Sequence, residues 1–252
     1  MSEGTGTYVY AVVAADADLP ADLEPVGGSA DGIAIIEHGD LAAVVSDVPT
    51  DKPLGKRADL MAHERVVNTI AAETTVLPMR FGGVVSDDRA VIDELLAEHH
   101  DWFSRALDEL DGVVEFVLHG RYDQDVLFGQ ILEQNSEIAR LSEQVRGKDP
   151  DATYYERIRL GEAISREVDG ARAVDATTAE QWLGPFTEAI VAKDVDGEDG
   201  AVHLAALVRR DKRSDFEQAV DSLGDDWDSR VSLRLIGPVA PYDFLPQPAE
   251  ES

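Results

Sequence analysis

The chain of 252 residues contains no cysteine. That absence excludes disulfides, thiolate nucleophiles and thiolate metal sites at once, and it fits a reducing cytoplasm. Lysine is scarce as well: of 22 basic residues only five are Lys, at 52, 56, 148, 193 and 212. No apolar run approaches the roughly 20 residues that a bilayer span requires. The N-terminal MSEGTGTYVYAVV lacks a basic n-region and turns polar by Asp16, so no signal peptide is expected. No basic stretch could track a phosphate backbone, which argues against nucleic acid as a partner.

What the chain has is acid. Its 51 Asp and Glu against 22 Lys and Arg give a formal charge of -29. The charge is spread out: residues 1 to 126 hold 25 acids and 8 bases, net -17, and residues 127 to 252 hold 26 acids and 14 bases, net -12. With 44% hydrophobic residues the chain has ample material for a core, which a disordered acidic segment lacks. Self-repulsion on this scale is relieved by salt, because the Debye length falls from about 10 Å at 0.1 M to about 3 Å at 1 M. A salt-loaded cytoplasm is therefore the expected setting.

Periodicity outlines an α+β protein. Tyr8 to Val13 is a β-branched and aromatic run, and Ile33 to Glu37 with Leu41 to Val45 read as a hairpin turning at His38, Gly39 and Asp40. Asp16 to Gly32 and Pro49 to Gly55 read as loops. Met61, Val66, Val67 and Ile70 set out a helix over 58 to 72. Pro78 cannot donate to a sheet ladder, so Leu77 to Gly83 is expected as an edge strand or an ordered loop. Asp87 or Asp88 can cap one long amphipathic helix running to Leu110, and Val113 to His119 alternates as a strand. Leu127 to Arg146 carries Ile131, Ile138, Leu141 and Val145 on one helical stripe, and a second helix runs from about Ala152 to Val168. Gly161 lies on its apolar stripe, where a close helix contact is expected. Thr177 and Glu180 have capping-box spacing for a third helical stretch that Gly184-Pro185 kinks or restarts. Strand Val202 to Val208, helix Ser214 to Leu223 and strand Ser229 to Ile236 form a β-α-β half of a ferredoxin-like unit. Three regions result: an N-terminal ferredoxin-like α+β module over 1–120, a helical segment over 121–193, and the β-α-β part of a second α+β domain with a short tail over 194–252.

No catalytic or metal constellation emerges. His63-Glu64 is followed by Val67 where a zincin would carry its second His, so His63 reads as a helical histidine at a surface or domain interface. His99 and His100 are adjacent and diverge by about 100° on a helix. Asp194, Asp196 and Gly197 open like a calcium loop, but the later ligands are out of register. Glu115 sits in an apolar strand, where either a raised pKa or a salt bridge to an arginine would account for it. The Gly pairs at 27–28 and 82–83 lack phosphate-loop spacing. No cofactor is expected.

The more informative feature is where acid stops. Thr74 to Ser86 holds a single charge, Arg80, and Ser229 to Tyr242 holds Arg230 and Arg234 but no acid. For Val231 to Ile236 a buried strand explains the gap. For Leu77 to Gly83 and Gly237 to Phe244 the Pro and Gly content favours an exposed apolar contact surface.

Those segments also carry a resemblance. VLPMRFG at 76 to 82, YVY at 8 to 10, LAAVVSDV at 41 to 48, YYERIRLGE at 154 to 162 and GPVAPYDF at 237 to 244 resemble the gas vesicle accessory proteins of the F/L family, and the acidity suggests the haloarchaeal type. The family's terminal motif often reads glycine-proline-aromatic-proline-proline-tyrosine, whereas Val239 and Ala240 stand here. The resemblance implies two α+β domains, the first a modified ferredoxin-like fold. It also implies a non-enzymatic role in making gas vesicles by binding the small hydrophobic shell protein, nucleating assembly or preventing premature aggregation, with persistence as a minor vesicle component. Expected partners are the shell protein and other accessory proteins, in the cytoplasm and on the vesicle, with no membrane and no nucleic acid. The residues expected to make the contact are Leu77, Pro78, Met79, Arg80, Phe81, Pro238, Pro241, Tyr242 and Phe244. The alternative is a small-molecule-binding or enzymatic α+β protein with a ligand site between ferredoxin-like halves, lined by Glu115, His63 and Arg80.

Overall fold

The structure, a computed structural model, describes residues 5–21, 23–28, 32–50 and 54–247. Parts of the two expected loops and the end of the tail lie outside the described residues. Two compact units divide the chain. Unit 1 takes residues 1–116, 207–211 and 237–252, and unit 2 takes 117–206 and 212–236.

The first sheet contains β1 (Thr5–Ala14), β2 (Ala34–His38), β3 (Leu41–Pro49), β4 (Leu77–Pro78) and β5 (Val84–Val85). Its order is β2-β3-β1-β4, with β5 also on β1, and these neighbouring strands are antiparallel. Helix α1 (Arg57–Glu73) packs on β1, and β1 also meets α3 (His100–Glu109). A strand covered on both faces should be apolar at every position, and Tyr8 to Val13 are all buried. The plan is ferredoxin-like but modified. Between β1 and β2 the described residues hold a short 3-10 turn, Val26–Gly28, where a β-α-β-β-α-β unit has its first helix. At Tyr10 the β1–β3 register slips, Val9 pairing with Val45 but Ala11 with Val44.

The expected helix over 88 to 110 is interrupted. After α2 (Asp88–Ala90), capped by the Asp87 carboxylate accepting from the Ala90 N–H at 2.9 Å, residues 91–96 form a wider turn. There the Ala97 N–H reaches the Ile92 carbonyl five residues back at 2.8 Å, and α3 restarts at His100. Val91 and Leu96 are both fully buried, and a wide turn brings residues five apart closer to one line than an α-turn does.

The second sheet has order β7-β8-β6-β9, from β6 (Val113–Tyr122), β7 (Ala189–Ala192), β8 (Gly200–Arg209) and β9 (Val231–Val239). In chain order it repeats the arrangement of the first sheet, with the second, third, first and fourth strands side by side. Helices α4 (Gln124–Gln134), α5 (Ser136–Val145) and α6 (Tyr154–Leu183) join β6 to β7, and α7 (Arg213–Asp226) joins β8 to β9. The stripe read over 127 to 146 belongs to two helices. Asn135 breaks it by accepting the Glu137 and Ile138 N–H groups at 3.1 and 3.2 Å, which makes it an N-cap. Conversely α6 is one helix of 30 residues, and Thr177 caps nothing: its hydroxyl donates back to the Ala173 carbonyl at 2.9 Å. Gly184-Pro185 ends α6 in a 3-10 turn, as proline at the start of a turn allows. Gly161 is exposed, and a Cβ there would meet nothing within 4 Å, so the expected helix contact is not made.

Candidate functional site

The most organised polar cluster is in unit 1, where the chain's last described segment crosses α1. His63 was expected at a surface or interface; it is 1% exposed. Helical spacing from Val66, Val67 and Ile70 points it at the sheet, and its ring stacks on Tyr10, with centroids 5.8 Å apart. Tyr8 Oη lies 2.9 Å from His63 Nδ1 and accepts the Gly82 N–H at 3.1 Å. Having accepted from Gly82, Tyr8 has its own proton to give to Nδ1, which assigns His63 as the neutral tautomer protonated on Nε2. That N–H faces the Met79 carbonyl at 3.1 Å and Tyr242 Oη at 3.0 Å, and the Tyr242 hydroxyl donates to the same carbonyl at 3.2 Å. One buried histidine thus joins β1, the segment after β4, and the C-terminal segment.

Burial depresses the His63 pKa and pushes the Tyr8 hydroxyl up to about 12; burial also raises Tyr242. The cluster is neutral at ordinary pH. Because folding lowers the His63 pKa, the unfolded chain takes up the proton first on acidification. His63 therefore supports the fold above its unfolded value of about 6.5, and that support drains away as pH falls through the lower folded value. Urea midpoints of wild type and His63→Gln, compared between pH 7.5 and 5, should show a steeper acid loss for wild type. His100 works the other way. Its pKa is raised by the Asp40 carboxylate at 2.6 Å, so its contribution is complete below about 6.5 and fades as pH rises through the raised value.

The rest of the C-terminal segment is fastened as firmly. A cis bond joins Gly237 to Pro238, the Ala240 N–H donates to Asn68 Oδ1 at 3.0 Å, and the Asp243 N–H donates to Glu115 Oε2 at 3.0 Å. Glu115 is buried and here accepts from the segment's backbone. The other returning piece, 207–211, places Arg210 against the C-terminus of α1. Its guanidinium donates to the Ala71, Ala72 and Thr74 carbonyls at 2.7 to 2.8 Å, a cation where the helix dipole favours one.

The nine residues read as a contact surface separate by burial. Leu77, Pro78 and Pro241 are buried and serve the core; Met79, Phe81, Pro238 and Phe244 are half-buried; Arg80 is exposed, and Tyr242 is 38% exposed. Beside Phe81 lies a recess of about 410 Å3, lined by Val48, Pro49, Thr50, Leu54, Gly82 and Val84. None of those described lining residues is charged. The acid gap over Thr74 to Ser86 holds both Phe81 and Val84, whereas Val48 and Leu54 lie far away in sequence and only the fold brings them beside Phe81.

The residues of the alternative ligand site lie along the C-terminal segment: His63 meets Tyr242, and Glu115 accepts from the neighbouring Asp243 N–H. Arg80 is exposed. Among the described residues no group of three or more His, Cys, Asp or Glu is arranged to hold a metal, and no helix is long and apolar enough to cross a membrane. His203 Nδ1 and the Asp194 carbonyl are 2.8 Å apart, so the segment resembling a calcium loop is a hydrogen-bonded turn.

Together these features define a two-sheet α+β protein in which a buried polar cluster holds a C-terminal strap, beside a recess whose described lining is uncharged. The sequence matches the family described as gas vesicle synthesis protein GvpL/GvpF over residues 6–246, and the chain belongs to that family. It is 34% identical to gas vesicle protein F of Streptomyces sp. (strain CB03234), over 95% of this chain and 99% of the relative. It is 32% identical to gas vesicle protein L of the same strain, over 97% and 94%. The crystal structure of GvpF from Anabaena sp. PCC7120 superposes with a TM-score of 0.78 at 23% identity, covering 95% of this chain and 98% of that one, which shows a shared fold. The haloarchaeal type is not supported: the Halobacterium salinarum L1 and F1 proteins are each 24% identical, well below the Streptomyces proteins. Acidity reports on solvent conditions and can arise in any lineage that meets them.

Proposed function

We propose that this protein is a non-enzymatic gas vesicle assembly factor that binds the hydrophobic shell protein in the cytoplasm, alongside other accessory proteins. It aids nucleation or keeps subunits from aggregating early, and stays with the vesicle as a minor component. The observation that supports this reading is the recess at Phe81, whose described lining residues carry no charge in a chain with 51 acids. A subunit that polymerises through apolar surface needs a soluble partner that covers it, and carboxylates elsewhere keep that partner in solution.

The contact is assigned to Met79, Arg80 and Phe81 with the exposed ring of Tyr242 and with Phe244. Leu77, Pro78, Pro238 and Pro241 hold that surface in shape. Sheet edge β4–β5 lies in the same stretch and offers strand addition as the route. Capture of the shell protein in molar salt should fall at least tenfold for Phe81→Ala combined with Tyr242→Ala. Tyr242→Phe keeps the ring and loses only the hydroxyl, so it should capture near the wild-type level. Unchanged capture by the double alanine variant, with its fold intact by circular dichroism, would place the interface elsewhere.

A further inference from the structure

Unit 2 carries a second surface that the shell-protein reading does not use. Between α4 and α6 runs a cleft of about 670 Å3 whose floor is Leu127, Phe128, Ile131, Gly161, Ile164 and Val168. Phe128 is 37% exposed there. Of the two open-faced glycines of α6, Gly161 and Gly170, Gly161 is the one that lines the cleft. It sits within a 30-residue helix, where glycine is disfavoured relative to alanine, yet a Cβ at that position would meet nothing. No turn and no close backbone approach requires it. Space left open in the floor of an apolar cleft, at a cost to the helix, is space for a side chain from outside.

The rim indicates what that side chain is attached to. Asp125, Asp169, Glu198 and Asp199 stand around the cleft. Among its described lining residues the cation is Arg172, committed to the Gly197, Glu198 and Gly200 carbonyls and to Asp169, while Asp199 is paired with Arg121 at 2.9 Å. Among the described residues Asp125 and Glu198 pair with no cation. A second copy of this chain, itself at -29, is the wrong occupant for an acidic rim. Helix α4 is 11 residues long, so the cleft accommodates about three turns of a helix laid along it.

We infer that the α4–α6 cleft is a docking groove for an amphipathic helix of a partner protein, one that seats an apolar side chain over Gly161 and presents Lys or Arg to the rim carboxylates. This is the helix-in-groove mode of recognition. The inference stands apart from the shell-protein reading, since it concerns other residues.

The test uses the full chain and a fluorescein-labelled 14-residue helical peptide, roughly the span of the groove, with Leu on one face and Lys on the other. Two controls replace Lys by Glu or Leu by Ser. Gly161→Leu and Gly170→Leu make a matched pair: both lie in α6, both are open-faced, and Gly170 lies outside the cleft lining. Each should raise Tm by about 2–4 °C through helix propensity. Gly161→Leu should weaken the Lys peptide at least tenfold by anisotropy, and Gly170→Leu should leave it within twofold of wild type. The Glu and Ser peptides should bind at least tenfold more weakly than the Lys peptide. Equal affinities for the two Leu variants, equal affinities for the Lys and Glu peptides, or no binding of the Lys peptide to wild type would overturn the inference.

Discussion

Asp175→Leu is expected to destabilise the protein by about 3–5 kcal/mol, because it removes one partner of a buried ion pair. Asp175 is a buried carboxylate in the last third of α6. It accepts from Arg230 through both oxygens at 2.6 and 2.8 Å, and from the Tyr122 hydroxyl at 2.6 Å. The Arg230 guanidinium also lies 5.8 Å from the ring centroids of Tyr122 and Trp227. Without the carboxylate, a half-buried guanidinium and a buried hydroxyl lose their acceptor together. The buried residues of α6 are Asp175, Ala179 and Leu183, so the same change loosens the helix at its anchored end. A drop in Tm of roughly 10 °C should be seen by calorimetry at fixed salt. Adding Arg230→Met should recover much of the loss, since the orphaned charge is then gone. A double variant as unstable as Asp175→Leu alone would mean that the pair is not the source of the cost.

Gly237→Ala should cost about 2–4 kcal/mol, from backbone strain and overpacking combined. The residue has φ +151°, and a Cβ there would fall 2.5 Å from Phe116 Cδ1 and 2.9 Å from Cγ of the same ring. Phe116 is a fully buried core side chain and has little freedom to yield. The strap beyond Gly237 would be displaced, so amide exchange should accelerate at Ala240 and Asp243, whose N–H groups bond to Asn68 and Glu115. Gly27→Ala is the comparison: φ is +73° but a Cβ meets nothing within 4 Å, and about 1 kcal/mol is expected. Equal melting temperatures for the two variants would contradict the packing argument.

Legibility in the sequence followed the range of the interactions. Strands β1, β3, β6 and β8 show as apolar or alternating runs because burial acts on each residue in turn. Helix α1 shows through its 3.6-residue period. The break at Asn135 was written locally, as an N-cap residue, but an apolar stripe that continues in phase on both sides of it reads as one helix. The opposite error arose at Thr177, where capping-box spacing occurs inside a continuous helix and the hydroxyl turns back to Ala173. Along the chain nothing links His63 to Tyr8 or Tyr242, which lie 55 and 179 residues away, so its burial waited on the fold. The proposed contact surface was picked out by a compositional signal, the gap in acid. That signal identified the segment without distinguishing Leu77 and Pro78, which face the core, from Phe81 and Tyr242, which reach the surface.

Binding of the gas vesicle shell protein by this chain is the proposed role from which the other expectations for Phe81 and Tyr242 follow. Co-expression of the two, followed by affinity capture of this chain in molar salt, tests it most directly. Shell protein recovered in the soluble, co-eluting fraction, and lost to the pellet when this chain is omitted, is the predicted result. Shell protein that pellets equally with and without this chain, and never co-elutes, would contradict the account.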